Sequence, residues 1–278
     1  MKFNTINIKD IVENGNVIKQ IRIIPQLTND IYVVEIVYVD NSKYEQINGD
    51  NCVGIDIGIN NLCALAFSND NYILFNGKPL KNINQYYNKE KAKLQAQYIK
   101  QKIYSGAKSR KLELDRMNKI NTFLHQTSKK VVDMIIKNGA KYVFIGHNNG
   151  WKQEVNIGKR NNQTFVQIPF NSFSEKLKYK LEDHGCIVET INEAYTSKCS
   201  GIDYEEICKH DEYVGYRGGK HNKEFVSKKS NKLVNADING AFNILRLGMK
   251  KYNMNEPKFS YNIYMPQTES LTQTKEGD

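Results

Sequence analysis

Proline and cysteine are scarce in this sequence, and long apolar runs are missing. Five prolines among 278 residues leave no proline-rich linker, so the length predicts one large domain or one domain with an appendage. No apolar run is long enough to span a bilayer and no signal segment opens the sequence, so we expect no membrane partner. The five cysteines suggest no disulfide framework, because two of them, Cys52 and Cys63, lie in apolar strand patterns. We therefore expect reduced thiols in a cytoplasmic protein.

Acidic residues are outnumbered by basic ones. The chain has 40 Lys and Arg against 30 Asp and Glu, a net charge of +10, which favours nucleic acid or another phosphate-rich partner. Residues 81–130 alone have a net charge of +10. Helical spacing gives this stretch one apolar stripe, and its other faces are basic. It is either a solvated basic helical hairpin or a surface that binds phosphates.

The second interpretation assigns individual residues. Tyrosines interleaved with the lysines can stack on bases, and they are Tyr86, Tyr87, Tyr98 and Tyr104. The basic side chains that we predict to bind nucleic acid here are Lys89, Lys91, Lys93, Lys100, Lys102, Lys108, Arg110 and Lys111.

Residues 52–67 have the pattern of a strand, a tight turn and a second strand, and this is the central motif of the chain. Asp56 stands near the end of an otherwise apolar strand, where an unpaired charge is costly and usually has a partner or a cation. The simplest interpretation is a β-hairpin with a capping Asp. Ribonuclease H-like nucleases use such an Asp as a metal ligand, and actin-like and sugar-kinase ATPases place it in a phosphate loop. That loop has Gly and Thr where this chain has Ile59 and Asn60.

The order of predicted elements is βββ-α-β-α-β-α. Strands joined by helices require right-handed parallel crossovers, so this order predicts an α/β fold of the ribonuclease H-like class, a mixed sheet with helices on both faces. A capping box at Ser172 and Glu175 predicts the start of the second helix. The predicted strands are 52–57, 62–67, 71–76, 141–146 and 186–191, and the helices lie at 81–138, 172–185 and from 235 onward.

The last helix supplies a second carboxylate. Asn235 can cap this helix, and Asp237 then lies in its first turn, where the helix dipole favours the ionised form. Such an Asp is common at helix starts. Its pairing with Asp56 nevertheless favours a metal site.

Four segments resemble the OrfB/TnpB-type nucleases of bacterial insertion sequences, relatives of the type V CRISPR effectors built on a RuvC-like ribonuclease H fold. The segments are Cys52–Phe67, Tyr142–Phe170, Glu193–Lys198 and Asn235–Leu245. The resemblance implies RNA-guided cleavage of DNA with Mg²⁺ or Mn²⁺, in the nucleoid of a bacterial cytoplasm. It also adds Trp151 and Lys152 to the predicted nucleic-acid-binding residues.

The chain departs from this family in three places. Only about fifty residues precede the first motif, and two strand patterns at 17–39 resemble the end of a longer β-domain. We therefore expect 1–50 to be a remnant of that domain, and a separate chain to supply the missing part. The family's zinc ribbon has two Cys-x-x-Cys pairs, whereas this region has only Cys199 and Cys208 with His210 and His221. Because a zinc ribbon needs four closely spaced ligands, we predict no tightly bound zinc.

The third departure is a glycine, Gly146, where the family's second motif ends its strand with Glu. Glu193 follows the neighbouring parallel strand, and strands lie about 4.8 Å apart, so its side chain is long enough to replace the missing carboxylate. We predict that Asp56, Glu193 and Asp237 are the catalytic, metal-binding residues. The alternatives are a surface Glu or a site with no third ligand. Glu154 and Glu189 are weaker candidates.

The predicted division of the chain follows these motifs. A β-domain remnant at 1–50 is followed by a RuvC-like domain at 51–198, which contains a helical insertion at 81–138. A degenerate zinc-ribbon-like insertion at 199–232 then leads to a final helix at 233–250. The remaining residues, 251–278, are predicted to form a polar, flexible tail. The leading function is an RNA-guided DNA endonuclease or its catalytic portion. The second is an inactive nucleic-acid-binding relative. An actin-like ATPase is third, because its phosphate and adenosine loops are missing.

Overall fold

The computed structural model describes residues 16–26, 31–39, 44–147, 168–219, 223–258 and 261–271. Contacts divide the chain into two compact units, 1–45 and 46–278. In the first unit, β1 (Val17–Gln26) and β2 (Ile31–Val39) form an antiparallel hairpin. Both strands predicted from the sequence are confirmed.

The described residues of the second unit form two sheets and four helices. Its strands are β3 (Asn51–Ile57), β4 (Asn61–Phe67), β5 (Tyr72–Asn76), β6 (Ala140–His147), β7 (Ile187–Asn192), β8 (Gly215–Gly218), β9 (Glu224–Ser227), β10 (Leu233–Asn235) and β11 (Gln267–Glu269). Its helices are α1 (Lys78–Lys100), α2 (Ala107–Lys137), α3 (Phe170–Asp183) and α4 (Ala236–Lys251), with a 3-10 turn at Tyr261–Tyr264.

The central sheet has the order β11-β5-β4-β3-β6-β7. Strands β3, β4 and β5 form an antiparallel meander, while β6 pairs parallel with β3 and β7 parallel with β6. One apolar core lies between the sheet and helices α1 to α3, and a second lies under α4. The predicted mixed sheet with helices on both faces is confirmed.

Side chains along β3 point alternately to the two faces of the sheet, and this alternation shows on which face the Asp56 carboxylate lies. Val53, Ile55 and Ile57 belong to the core on the side of α1 to α3. A strand points successive side chains to opposite faces, so Asp56 lies on the α4 side. Within the described parts of the chain, no helix combines the length and apolarity needed to cross a membrane.

Two predictions about element ends are wrong. Helix α3 begins at Phe170 rather than at Ser172, with Pro169 at its cap and no side-chain cap hydrogen bond. The earlier start buries Phe170, which is 2% exposed. The predicted polar, flexible tail from residue 251 is also incorrect for the described part, because β11 pairs parallel with β5.

Candidate metal centre

Asp56 lies on β3 directly under α4. A β-carbon added to Gly240 of α4 would lie 2.5 Å from Asp56 Oδ2, closer than two such atoms can approach. Glycine at position 240 therefore leaves the space that the Asp56 carboxylate occupies.

Asp237 stands in the first turn of α4, as predicted. Asn235 caps the helix, because its Oδ1 accepts hydrogen bonds from the Asp237 N–H at 2.9 Å and the Ile238 N–H at 3.2 Å. Two side chains from elsewhere hold the carboxylate. Asn61 donates from Nδ2 to Asp237 Oδ2 at 2.8 Å, and Arg217 Nη2 lies 3.5 Å from Oδ1.

Glu193 follows the end of β7. Its N–H donates to the His147 carbonyl at 3.2 Å, which extends the pairing of β6 with β7 by one step. Its Oε2 lies 2.9 Å from the position that a β-carbon on Gly146 would occupy. The Glu193 carboxylate therefore fills the space in which a side chain at the end of β6 would begin.

The charges of the other two carboxylates act on the pKa of Asp56. Burial raises the pKa of Asp56 well above its usual value, and the negative charges of Asp237 and then Glu193 raise it further. Arg217 acts in the opposite direction. Within the described residues, however, no three His, Cys, Asp or Glu side chains are close enough together to hold one metal ion. The assignment of Asp56, Glu193 and Asp237 as metal ligands stays a prediction.

The loop after Glu193 is fixed to α4 by two buried asparagines. Asn243 donates from Nδ2 to the carbonyls of Thr196 and Cys199, both at 2.8 Å. Asn239 donates to the Cys199 carbonyl at 3.0 Å and accepts from the Gly201 N–H at 2.9 Å. Helix α4 thus positions the segment that follows Glu193 as well as presenting Asp237.

Three basic residues, Lys81, Lys223 and Arg217, lie on elements next to this site. Lys81 of α1 donates to Asn60 Oδ1, one residue before the Asn61 that binds Asp237. Burial, and then the nearby charge of Lys223, lower the pKa of Lys81. Lys223, whose carbonyl accepts a hydrogen bond from the Ala236 N–H at 2.8 Å, and Arg217 thus lie on segments next to Asp237.

Other predicted residues have different surroundings. Glu189, a weaker candidate for the third carboxylate, binds Lys251 Nζ at 2.6 Å and the Tyr252 hydroxyl at 3.0 Å. Glu154 lies outside the described residues, as do Trp151, Lys152 and His221.

The predicted zinc candidates are close to one another. Cys208 Sγ lies 3.4 Å from His210 Nε2, and the thiol of buried Cys199 donates to the Cys208 carbonyl at 3.6 Å. His210 Nε2 also lies 2.7 Å from the Glu206 carbonyl oxygen. The prediction of no tightly bound zinc remains to be tested.

The basic hairpin has the predicted form of two helices, but not all its tyrosines are accessible. Tyr87 and Tyr98 are buried, so their predicted role in stacking is wrong, whereas Tyr86 and Tyr104 are exposed. Arg110 is half-buried, and the exposed predicted cations are Lys89, Lys91, Lys93, Lys100, Lys102, Lys108 and Lys111.

The sequence did not predict Asn61 and Arg217 as partners of Asp237. It also did not predict Asn239 and Asn243 as supports of the loop after Glu193. The two α4 asparagines are spaced by four residues on one helix face, which was an available signal. Arg217 had none, because it lies on the short strand β8 and its ion-pair partner Asp237 stands twenty residues further along the chain.

Two family models match consecutive parts of the chain. Residues 33–152 match OrfB_IS605, a probable transposase, and residues 170–244 match the Cas12f1-like TNB domain. No curated protein matches the chain at a comparable level. The two family matches confirm the resemblance found in the sequence motifs.

Solved structures of Cas12f share the fold. A Cas12f1 in complex with sgRNA and target DNA aligns with a TM-score of 0.55 and 16% identity over 77% of this chain and 53% of that one. A CRISPR-Cas12f ternary complex aligns with a TM-score of 0.58 and 19% identity over 86% of this chain and 47% of that one. This chain thus spans about half the length of the solved proteins that it matches.

Proposed function

We propose that this chain, whose two family matches are consistent with a TnpB-like relative of the type V effectors, is the catalytic portion of an RNA-guided, metal-dependent DNA endonuclease. The observation that supports this best is the position of the Glu193 carboxylate, whose Oε2 lies 2.9 Å from where a β-carbon on Gly146 would stand. Its charge adds to burial and to the charge of Asp237 in raising the pKa of Asp56. We propose that Glu193 replaces the glutamate with which the family's second motif ends its strand.

The donor set fits a hard divalent cation. Carboxylate oxygens are the ligands that Mg²⁺ and Mn²⁺ prefer, and Asp56, Glu193 and Asp237 would hold such ions. The repulsion among these groups is the electrostatic state that a cation relieves. When bound, a pair of such ions supplies an activated water and stabilises the leaving oxygen of a phosphodiester.

The residues around the carboxylates have supporting roles. Asn61 fixes one oxygen of Asp237 with a short hydrogen bond, whereas the Arg217 contact at 3.5 Å is long for a hydrogen bond. The Arg217 side chain is 39% exposed. We assign its guanidinium to a phosphate of the substrate strand beside the reacting group, since guanidinium binds phosphate well.

The proposed partners are DNA and a guide RNA. The exposed lysines of α1 and α2 would bind their phosphates, and a nucleoid location follows from that substrate. We also propose a separate chain as a partner in the recognition of guide and target.

A second candidate is a nucleic-acid-binding relative that does not cut. It is favoured by the engagement of both Asp237 oxygens with Asn61 and Arg217. It is also favoured by the absence, among described residues, of a three-ligand group within reach of one ion.

Plasmid nicking separates the two functions. The chain is expressed with its flanking genomic DNA, purified with its co-purifying RNA, and incubated with supercoiled plasmid bearing that flanking sequence, with Mg²⁺ or with EDTA. We expect nicking with Mg²⁺ only, abolished in Asp56→Asn, Glu193→Gln and Asp237→Asn but retained in the control Glu189→Gln. Binding without nicking under any condition supports the second candidate.

A further inference from the structure

A groove of about 970 Å³ lies between helices α1 and α2, on the opposite side of the sheet from the carboxylates. Its lining combines aromatic rings with amides and cations. The aromatic groups are Tyr86, Tyr87 and Phe123, and amides are contributed by Asn82, Asn118 and Gln126. Arg116, Lys119 and Asp115 provide its charges.

Tyr87 and Arg116 form a fixed wall of this groove. Tyr87 is 4% exposed and donates its hydroxyl to Glu113, and the Arg116 guanidinium lies 4.9 Å from the centre of its ring. Arg116 also donates to Glu113 at 3.1 Å and to Asn84 Oδ1 at 2.8 Å. Asn84 is fully buried, and its Nδ2 has no hydrogen-bond partner among the described residues.

Tyr86 differs from this wall because its side chain is accessible. It is 57% exposed, and Lys119 Nζ lies 5.8 Å from the centre of its ring. An accessible ring beside a cation can stack on the face of a base. The amides that line the same groove can form hydrogen bonds with the edge of that base.

We propose that this groove binds unpaired nucleobases of single-stranded nucleic acid, and this proposal rests on the proposed function. Bases inside a duplex already stack on both neighbours, whereas the bases of a single strand are free to stack on a protein ring, so the occupant that we propose is single-stranded. Asp115 would repel a phosphate but accept a hydrogen bond from the amino group of a base. The base therefore enters the groove, and the phosphates follow the exposed lysines of the two helices.

The test measures binding of labelled single-stranded oligonucleotides to the full chain. The probes are a short mixed-sequence RNA and an abasic strand of equal length. The variants are Tyr86→Ala and Tyr86→Phe, with Tyr104→Ala as the matched control, since Tyr104 is an exposed ring of the same basic hairpin outside the groove lining. Circular dichroism verifies the folding of each variant.

We expect Tyr86→Ala to weaken binding of the base-bearing strand by about 5- to 150-fold, the effect of removing one stacked base. The salt dependence should stay unchanged because every phosphate keeps its cationic partner. Tyr86→Phe and Tyr104→Ala should bind as the wild type does, and the abasic strand should be insensitive to Tyr86.

Two results would overturn the proposal while leaving the proposed function intact. One is salt-dependent binding that neither base removal nor Tyr86→Ala weakens. The other is an equal weakening of binding in Tyr104→Ala, which would mean that any exposed ring suffices. Failure of the wild-type chain to bind nucleic acid at all would overturn the groove and the proposed function together.

Discussion

Glu193 Oε2 lies 2.9 Å from the place that a β-carbon on Gly146 would take. A side chain at position 146 would therefore meet the end of the Glu193 side chain, and one of the two would have to move. The two positions compete for the same space between the ends of β6 and β7.

This competition for space predicts in which variants a carboxylate on β6 can replace the carboxylate of Glu193. Glu193→Ala should abolish Mg²⁺-dependent nicking, and Gly146→Glu added to it should restore part of the rate. In the Glu193→Gln background, the same Gly146→Glu change should restore less, because the glutamine side chain would first have to move out of the shared space. Plasmid nicking rates are compared among these variants.

Folding must be verified in each variant, since the added β-carbon would also lie 2.5 Å from Ile244 Cδ1. Ile244→Val provides room for it in a matched background. Equal rescue in the Glu193→Ala and Glu193→Gln backgrounds would show that the two positions do not share space.

Asp56 should make the stability of the metal-free protein depend on pH. Because its pKa is raised in the folded state, the folded protein holds this proton more tightly than the unfolded chain does. The ionised carboxylate therefore lowers the free energy of unfolding, fully above the raised pKa and not at all below the ordinary pKa of Asp.

We accordingly expect Asp56→Asn to be more stable than the wild type in EDTA at mildly alkaline pH, with the difference vanishing at acidic pH. Urea unfolding measures both values. Mg²⁺ should raise the melting temperature of the wild type and not that of the variant. Asp133→Asn, at an exposed position of α2, is the control and should show neither effect.

The basic helices should make binding salt-dependent. Neutralising Lys91, Lys100 and Lys102 to Gln should reduce the slope of log affinity against log salt by roughly 0.7 to 0.9 for each phosphate that the variant no longer binds. Lys93 should contribute less than these, because its Nζ already lies 2.6 Å from Glu90 Oε1. An unchanged slope in the triple variant would place the binding surface elsewhere.

Asn243 should stabilise the loop that follows Glu193. Asn243→Ala removes hydrogen bonds to two buried carbonyls, so we expect the free energy of unfolding to fall by about 1–3 kcal/mol. Denaturant unfolding measures this decrease. Asn121→Ala, at an exposed helical position, should leave stability nearly unchanged, and equal behaviour of the two variants would contradict the assigned role.

Cys199 and Cys208 should hold no tightly bound zinc. Metal analysis of protein purified without chelators should find substoichiometric zinc, and replacing both cysteines by Ser should leave the fold intact. One equivalent of zinc per chain, disappearing together with folding in the Ser variant, would contradict this expectation.

Local signals in the sequence predicted the parts of the fold that depend on local chemistry. The alternation around Asp56 and the cap at Asn235 are properties of a few neighbouring residues, and both were predicted correctly. The pattern also predicted the antiparallel meander of β3 to β5 and the parallel pairing of β6 with β7, because short connections and crossovers allow few topologies.

Features that depend on tertiary contact were missed. The partners of Asp237, Asn61 and Arg217, reach it from β4 and β8, and no spacing in the sequence links these elements. Tyr87 and Tyr98 were assigned to a binding surface because they alternate with lysines. Packing of α1 on α2 buries both rings, which helical periodicity alone could not reveal.

The parallel pairing of β11 with β5 means that one edge of the sheet is completed late during synthesis of the chain. Residues 72–75 of β5 are all buried, yet one backbone edge of the strand is completed only by Gln267–Glu269. On the ribosome, that apolar edge stays open until nearly the whole of the described chain has emerged. An open apolar strand edge is a template for pairing with other chains, so we expect the nascent protein to be prone to aggregation until β11 has been made and has paired with β5.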